Sequence, residues 1–259
     1  MLEGSAGYDL RYFLFLQNIG GLYHFTHSWS LCVEEHFYVF FPLVVFFLNK
    51  TEKLNAYLLL MIMMIGIGIV SRYFIWKDYR PDAIYLKDVS KGFDLYFKTI
   101  FYPTYTRLDG IVVGTALAFI KYFKEATWKK MTERSNLFLV TSIVLFLVVS
   151  LLSWKRVMFF ASVFSFSGYS LAFGALLISV ISENSFLTKF KVPGISTISI
   201  LSYSLYLSHG FAIKILLGFF GKSELGWTWV LTFPLSLFFA YFLYLLIEKP
   251  FLRIRDRAL

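Results

Sequence analysis

Four short blocks of this chain carry side chains capable of chemistry. The first is Trp29-Ser30-Leu31-Cys32-Val33-Glu34-Glu35-His36-Phe37-Tyr38, which runs on through Pro42 to Leu48. Two adjacent carboxylates beside a tryptophan and a serine, at the mouth of an apolar run, are expensive to place and mark a candidate site. The second, Thr104–Gly110, holds Arg107 and Asp109, which can pair with each other or with Glu34 or Glu35. The third places Ser202, Tyr206 and His209 at i, i+4 and i+7, on one helical face. The fourth is Glu248-Lys249-Pro250, where Pro250 is expected to stop a helix and Glu248 to meet a basic loop.

Each block also has a plainer reading. Ser30 can cap a helix whose first turn holds Glu34, with Trp29 as a residue of the bilayer interface. Successive helical residues point about 100° apart, however, so Glu34 and Glu35 cannot both face solvent. The other then faces a bundle interior, where ionisable groups are rare and usually functional. His209 can be a structural histidine bonded to a neighbouring helix.

The elements that must hold these blocks are membrane helices. Of 259 residues 58% are hydrophobic, 21% aromatic and only 16% charged, against about 25% charge in a soluble domain. Mean hydropathy is +0.66. Runs near the roughly 20 residues needed to cross a bilayer are Trp29–Leu48, Leu54–Ile75, Tyr102–Tyr122, Asn136–Ser153, Val157–Ser182, Ser196–Phe220 and Trp227–Ile247. Paired backbone in lipid makes them helices, so the expectation is an all-α bundle of about seven spans forming one membrane-embedded domain over 1–259. Trp76–Phe101 reads as a loop, and Tyr12–Leu16 is too short to cross. Gly110, Gly114 and Ala118, with Gly168 and Ala172, read as small residues that let helices approach.

The net charge of +9 fits basic loops on one membrane face better than nucleic-acid binding. Lys50, Lys53, Lys121, Lys124, Lys129, Lys130, Arg134, Lys189, Lys191 and the C-terminal arginines share one side. That side is expected to be cytoplasmic in a cell membrane, which turns Trp29–Glu35 outward and leaves the C-terminus inside. A single cysteine, Cys32, excludes an intrachain disulfide. The four histidines are not at ligand spacing with carboxylates, so no metal site is expected.

In this order the four blocks resemble the membrane acyltransferase 3 superfamily, which includes bacterial O-acetyltransferases of lipopolysaccharide and other surface glycans. Trp29-Ser30-Leu31, Glu34-Glu35, Phe37-Tyr38 and Pro42 are similar to the family's opening motif. Thr104–Gly110 with Gly114, Ser202–His209 and Glu248–Pro250 are similar to its later ones. The resemblance implies acyl transfer, acetyl first, from a cytoplasmic acyl-CoA to a hydroxyl of an extracytoplasmic glycan, with no tightly bound cofactor. It implies supporting roles in catalysis for Glu34 and Glu35, and substrate contacts for Trp29, Ser30, Tyr38, Arg107, Asp109 and His209. Nothing before Trp29 matches the family's earlier helices or the histidine taken as base, and His24, His27 and His36 do not fill that place. The expectation is therefore an N-terminally incomplete acyltransferase. A proton-coupled transporter using Asp109, His209 and Glu34 is the alternative; related halves, common among transporters, are not visible.

Overall fold

A computed structural model describes residues 10–19, 28–48, 54–190, 192–220 and 225–258. His24 and His27 lie outside them. The described elements are all helical: α1 (Leu10–Phe13), α2 (Trp29–Leu48), α3 (Leu54–Tyr79), α4 (Pro81–Lys87), α5 (Val89–Tyr96), α6 (Asp109–Phe123), α7 (Glu125–Glu133), α8 (Ser135–Leu152), α9 (Phe159–Val163), α10 (Ser165–Ile181), α11 (Ile195–Phe220), α12 (Leu225–Leu243) and α13 (Lys249–Ala258). The chain divides into two compact units, Met1–Phe190 and Lys191–Leu259.

Five stretches are long and apolar enough to cross a bilayer: Trp29–Phe46, Asn55–Tyr79, Ser135–Leu152, Ile195–Phe220 and Val230–Arg257. They make this a multi-pass membrane protein. The expected count of seven is not met on length. Helix α6 has 15 residues and α10 has 17, about 22 and 26 Å at 1.5 Å per residue. They are short because Phe97–Phe101 forms a π-turn, Thr104–Thr106 a 3₁₀ turn and Phe159–Val163 a separate small helix.

Within the first unit α6 and α10 nevertheless run from one end of the bundle to the other. Trp76 Nε1 at the end of α3 donates to the Val157 carbonyl, 3.3 Å away, ahead of α9. At the opposite end Lys124, just after α6, donates to Asn55 at the start of α3 (2.7 Å), and Ser182, just after α10, to the Thr132 carbonyl (2.9 Å). Helices α2, α3 and α6 share an apolar core around Phe37, Met61 and Val112. A second core of Tyr96, Ile100 and Val157, flanked by Trp76, Phe101 and Phe166, closes the end where α2 begins.

Polarity runs outward to inward in reverse of a soluble protein. Leu147, Leu151 and Phe173 are exposed, whereas Arg72 is wholly buried and Asp109 nearly so. Bilayer lipid rewards the first arrangement, and the second survives only with full pairing.

Trp76–Phe101 is not a loop. Helix α3 continues to Tyr79; Pro81 opens α4 at a position that needs no N–H; and the Asp88 carboxylate caps α5 by accepting from Lys91 N at 3.1 Å. Gly92 allows α5 to lie on α4, since a Cβ there would sit 2.4 Å from Tyr85 Cα.

In the second unit α11 packs antiparallel on α12. Ala212 and Ala240 are fully buried, Ser208 donates to the Ser236 carbonyl at 3.2 Å, and Phe211 meets Phe239 edge-on at 5.2 Å. Pro250 does not stop the last helix. It lies in the first turn of α13, straight after a π-turn at Tyr244–Glu248 that absorbs the break in the α-helical bonding register. Among the described residues Glu248 meets no basic loop; its Oε2 accepts from Ser204 Oγ at 2.6 Å.

Candidate functional site

Helix α2 starts at Trp29 itself, so Ser30 is an early helical residue rather than the cap. One turn on, Glu34 is exposed and Glu35 half-buried. Glu34, Trp29 and Ser30 line a cavity of about 1080 Å³ in the first unit, together with Arg107, Asp109 and Arg156. Glu35 and Tyr38 do not line it, and Tyr38 is exposed on the outer side of α2. His36 instead makes a 2.7 Å hydrogen bond between its Nδ1 and Thr104 Oγ1. Thr104 also accepts from Asn18 Nδ2 at 2.8 Å, which ties the segment after α1 to the mouth of α6.

Arg107 and Asp109 do not pair with each other or with the glutamates. Asp109 is claimed by Arg72, a residue the sequence reading overlooked. Arg72 Nη1 reaches Asp109 Oδ2 at 2.7 Å and Nη2 reaches Oδ1 at 3.2 Å. Nη1 also donates to the Thr106 carbonyl (2.6 Å), Nη2 to Ser167 Oγ (2.8 Å) and Nε to the Val163 carbonyl (2.8 Å). Ser167 Oγ in turn donates to Asp109 Oδ1. A guanidinium has five N–H donors, and here these bonds account for all five. The cluster pins α3, α6 and α10 together at one end of the bundle.

Arg107 is its opposite. No side-chain hydrogen bond or ion pair reaches it among the described residues, and its Nε is buried and unsatisfied. What surrounds it is aromatic: the guanidinium carbon lies 3.9 Å from the centroid of Phe166, 4.6 Å from Phe101 and 5.0 Å from Trp29. Such faces attract a cation but accept no in-plane N–H bond, so the donor edge stays available.

The walls are made by sequence features with visible purposes. Gly114 lines the cavity, and a Cβ there would meet nothing within 4 Å; Gly110 would meet only Ser170 Oγ at 3.7 Å. The close approaches are made by Gly168, where a Cβ would come 2.7 Å from Val149, and by Gly174, 2.6 Å from Val113. Thus one of the expected small-residue pairs holds helices together through Gly168, while Gly110 and Gly114 open space.

His209 belongs to the second unit. It shares a helical face with Tyr206, whose carbonyl its Nδ1 contacts, so that bond is made within α11 itself. Ser202 is exposed one turn earlier. No group of three or more His, Cys, Asp or Glu able to hold a metal occurs among the described residues.

Comparison with known proteins gives a set of distant relatives. The chain is 26% identical over 245 residues to SACOL0978 of Staphylococcus aureus strain COL and to SAS0844 of strain MSSA476, both assigned by name to the O-acetyltransferases. It is 25% identical over 240 residues to the O-acetyltransferase OatA of strain NCTC 8325. The first two alignments cover 90% of this chain and 37% of the relative, the third 86% and 35%. The chain therefore spans little more than a third of the length of these relatives. No family model matches it, and no solved structure does.

Proposed function

We propose that this chain is the membrane-embedded part of an O-acyltransferase, moving an acetyl group from acetyl-CoA to a hydroxyl of a cell-surface glycan. The observation that carries the reading is the convergence of Trp29, Ser30, Glu34 and Arg107 on one cavity, in a chain similar to proteins named as O-acetyltransferases.

In such a transfer the acceptor oxygen gives its proton to a base and attacks the thioester carbonyl. Donors stabilise the tetrahedral oxyanion, which collapses with cleavage of the C–S bond, and the departing coenzyme A thiolate takes up the proton. Glu34 is the carboxylate placed to hold the acceptor hydroxyl, and Arg107 presents unused N–H donors to developing negative charge. Trp29 supplies an apolar face to a sugar ring. Asp109 acts indirectly, by occupying Arg72 and fixing the backbone at Thr106 beside Arg107. Glu35 and Tyr38 are assigned support of α2. His209 is assigned a secondary polar role within the second unit. The cavity mouth by Trp29 faces outward from the cell, with Lys124 and Arg134 at the cytoplasmic end.

The test is glycan acetylation, read by mass spectrometry, in cells whose only copy of the enzyme carries Glu34→Gln or Glu35→Gln. Loss of a group that handles the transferred proton typically costs about 10²–10⁴-fold. The expected result is a loss of about 100-fold or more for Glu34→Gln and under about fivefold for Glu35→Gln. Wild-type acetylation with Glu34→Gln would sink the assignment.

A further inference from the structure

The last helix of the chain is built differently from the spans before it. The apolar run Trp227–Ile247 is about 31 Å long at 1.5 Å per residue, which matches a hydrocarbon core about 30 Å thick. Helix α13 follows directly on the π-turn at Tyr244–Glu248, with no loop between them. It therefore begins where the headgroups of the bilayer begin.

Two faces of α13 carry opposite chemistry. Lys249, Arg253 and Arg257 recur at i, i+4 and i+8, so they fall within about 80° of one another and form a ladder with rungs about 6 Å apart. Phe251 and Ile254 lie on the other side, 69% and 63% exposed. The helix holds one acid, Asp256, and Arg255 engages its carboxylate at 2.8 Å. Among the described residues no carboxylate pairs with Lys249, Arg253 or Arg257. Arg253 and Arg257 are exposed and Lys249 half-buried, so these cations are solvated and need no counter-ion to be stable. They set a positive stripe at the depth of the lipid headgroups, and an acidic leaflet attracts basic residues placed just past a span. Phe251 and Ile254 gain by leaving water, and a short helix with a basic face and an apolar face suits the bilayer interface.

We propose that α13 binds acidic phospholipid, with the Lys249–Arg253–Arg257 ladder against anionic headgroups and Phe251 and Ile254 against the outer acyl chains. The two faces together select this occupant. A soluble phosphate would meet the ladder and leave Phe251 and Ile254 in water, and an apolar partner helix would leave the ladder unused. The proposal does not rest on the acyl-transfer reading, and the failure of either leaves the other standing.

The test is native mass spectrometry of the purified full chain in dodecyl maltoside micelles, titrated at low salt with phosphatidylglycerol or phosphatidylcholine of the same acyl chains. A basic residue near an acidic lipid surface is worth about fivefold in affinity. Phosphatidylglycerol is therefore expected to bind at least about tenfold tighter than phosphatidylcholine. Arg253→Gln with Arg257→Gln should remove most of that preference. Arg255→Gln with Asp256→Asn, which deletes a paired couple and no net charge, should keep it within about twofold. Phe251→Ser with Ile254→Ser should weaken phosphatidylglycerol by about fivefold or more, since burial of large apolar side chains is lost. The substituted positions are all exposed, so the variants keep the fold. Equal binding of the two lipids would overturn the proposal, as would an unchanged preference in the Arg253, Arg257 variant or unchanged affinity in the Phe251, Ile254 variant. Ladder-dependent binding of coenzyme A without a lipid preference would assign the cations to a soluble phosphate and refute it. A dimer that the Phe251, Ile254 variant dissolves, again without a lipid preference, would assign the apolar face to a second copy and refute it too.

Discussion

Arg72 and Arg107 show how one residue type takes two roles through its neighbours. Arg72 is wholly buried and saturated by Asp109, Ser167 and two carbonyls, so it builds the bundle. Arg107 is held by aromatic faces with its donors unused, so it can meet a ligand. Removing one member of a buried ion pair typically costs about 3–5 kcal/mol, because the other charge is left unpaired. Arg72→Gln and Asp109→Ala should each lower the thermal midpoint in detergent by many degrees, and Arg72→Met with Asp109→Leu should recover most of the loss. Equal midpoints for either single variant and wild type would show that the pair does not hold α3 to α6. Arg107→Gln should lower the midpoint less than either, since it gives up cation–π contacts to Phe166, Phe101 and Trp29 but no hydrogen bond or ion pair.

Among the elements, α10 and α5 are each placed by a glycine that a larger side chain would displace. Gly168 lets α10 press on α8, where a Cβ would lie 2.7 Å from Val149; Gly168→Leu should destabilise by about 1–3 kcal/mol through overpacking, and Val149→Ala should partly relieve it. Gly92→Ala should be less forgiving, because the obstructing atoms at 2.4–2.6 Å include Tyr85 backbone. Loss of secreted or membrane-inserted yield alone is not the readout; thermal midpoints of the purified variants are. The start of α4 adds a pH dependence. Burial pushes the Asp82 carboxyl up, but the Arg80 side chain and the Ala83 N–H outweigh it and hold Asp82 below the usual carboxylate range. The Arg80 guanidinium lies 3.1 Å from both carboxylate oxygens. A lowered folded-state pKa gives stability that is complete above the unfolded value near 3.9 and lost as pH falls through the folded one. Thermal midpoints of wild type should therefore fall more steeply below about pH 4 than those of Asp82→Asn; parallel curves would remove Asp82 from the acid response.

At the scale of the molecule, the two units differ in chemistry. The first holds the cavity with the buried Arg72 and Arg107, whereas in the second the contacts of Ser204 with Glu248 and Ser208 with Ser236 hold α11, α12 and the π-turn together. Bundle direction gives a further prediction. Cysteines placed at Lys155 and Lys129 in a Cys32→Ser background should label from opposite faces of intact cells, Lys155 from outside. Labelling of both from one face would reverse or dismiss the proposed orientation.

The sequence alone determined that this chain is helical and membrane-embedded, because hydropathy and the need to pair every backbone group in lipid are local properties. It also marked Trp29, the Glu34–Glu35 pair and Arg107, since polar groups at the edge of apolar runs are legible without coordinates. It overstated α6 and α10, whose apolar runs include the π, 3₁₀ and short helical turns before them. Only the tertiary structure decided which carboxylate faces the cavity, that Asp109 is spent on Arg72, and that Arg107 is left open. Those facts depend on which side chains from α3, α6 and α10 compete for the same donors. Arg72 sits 37 residues from Asp109 and 95 from Ser167, a pairing that no local pattern encodes.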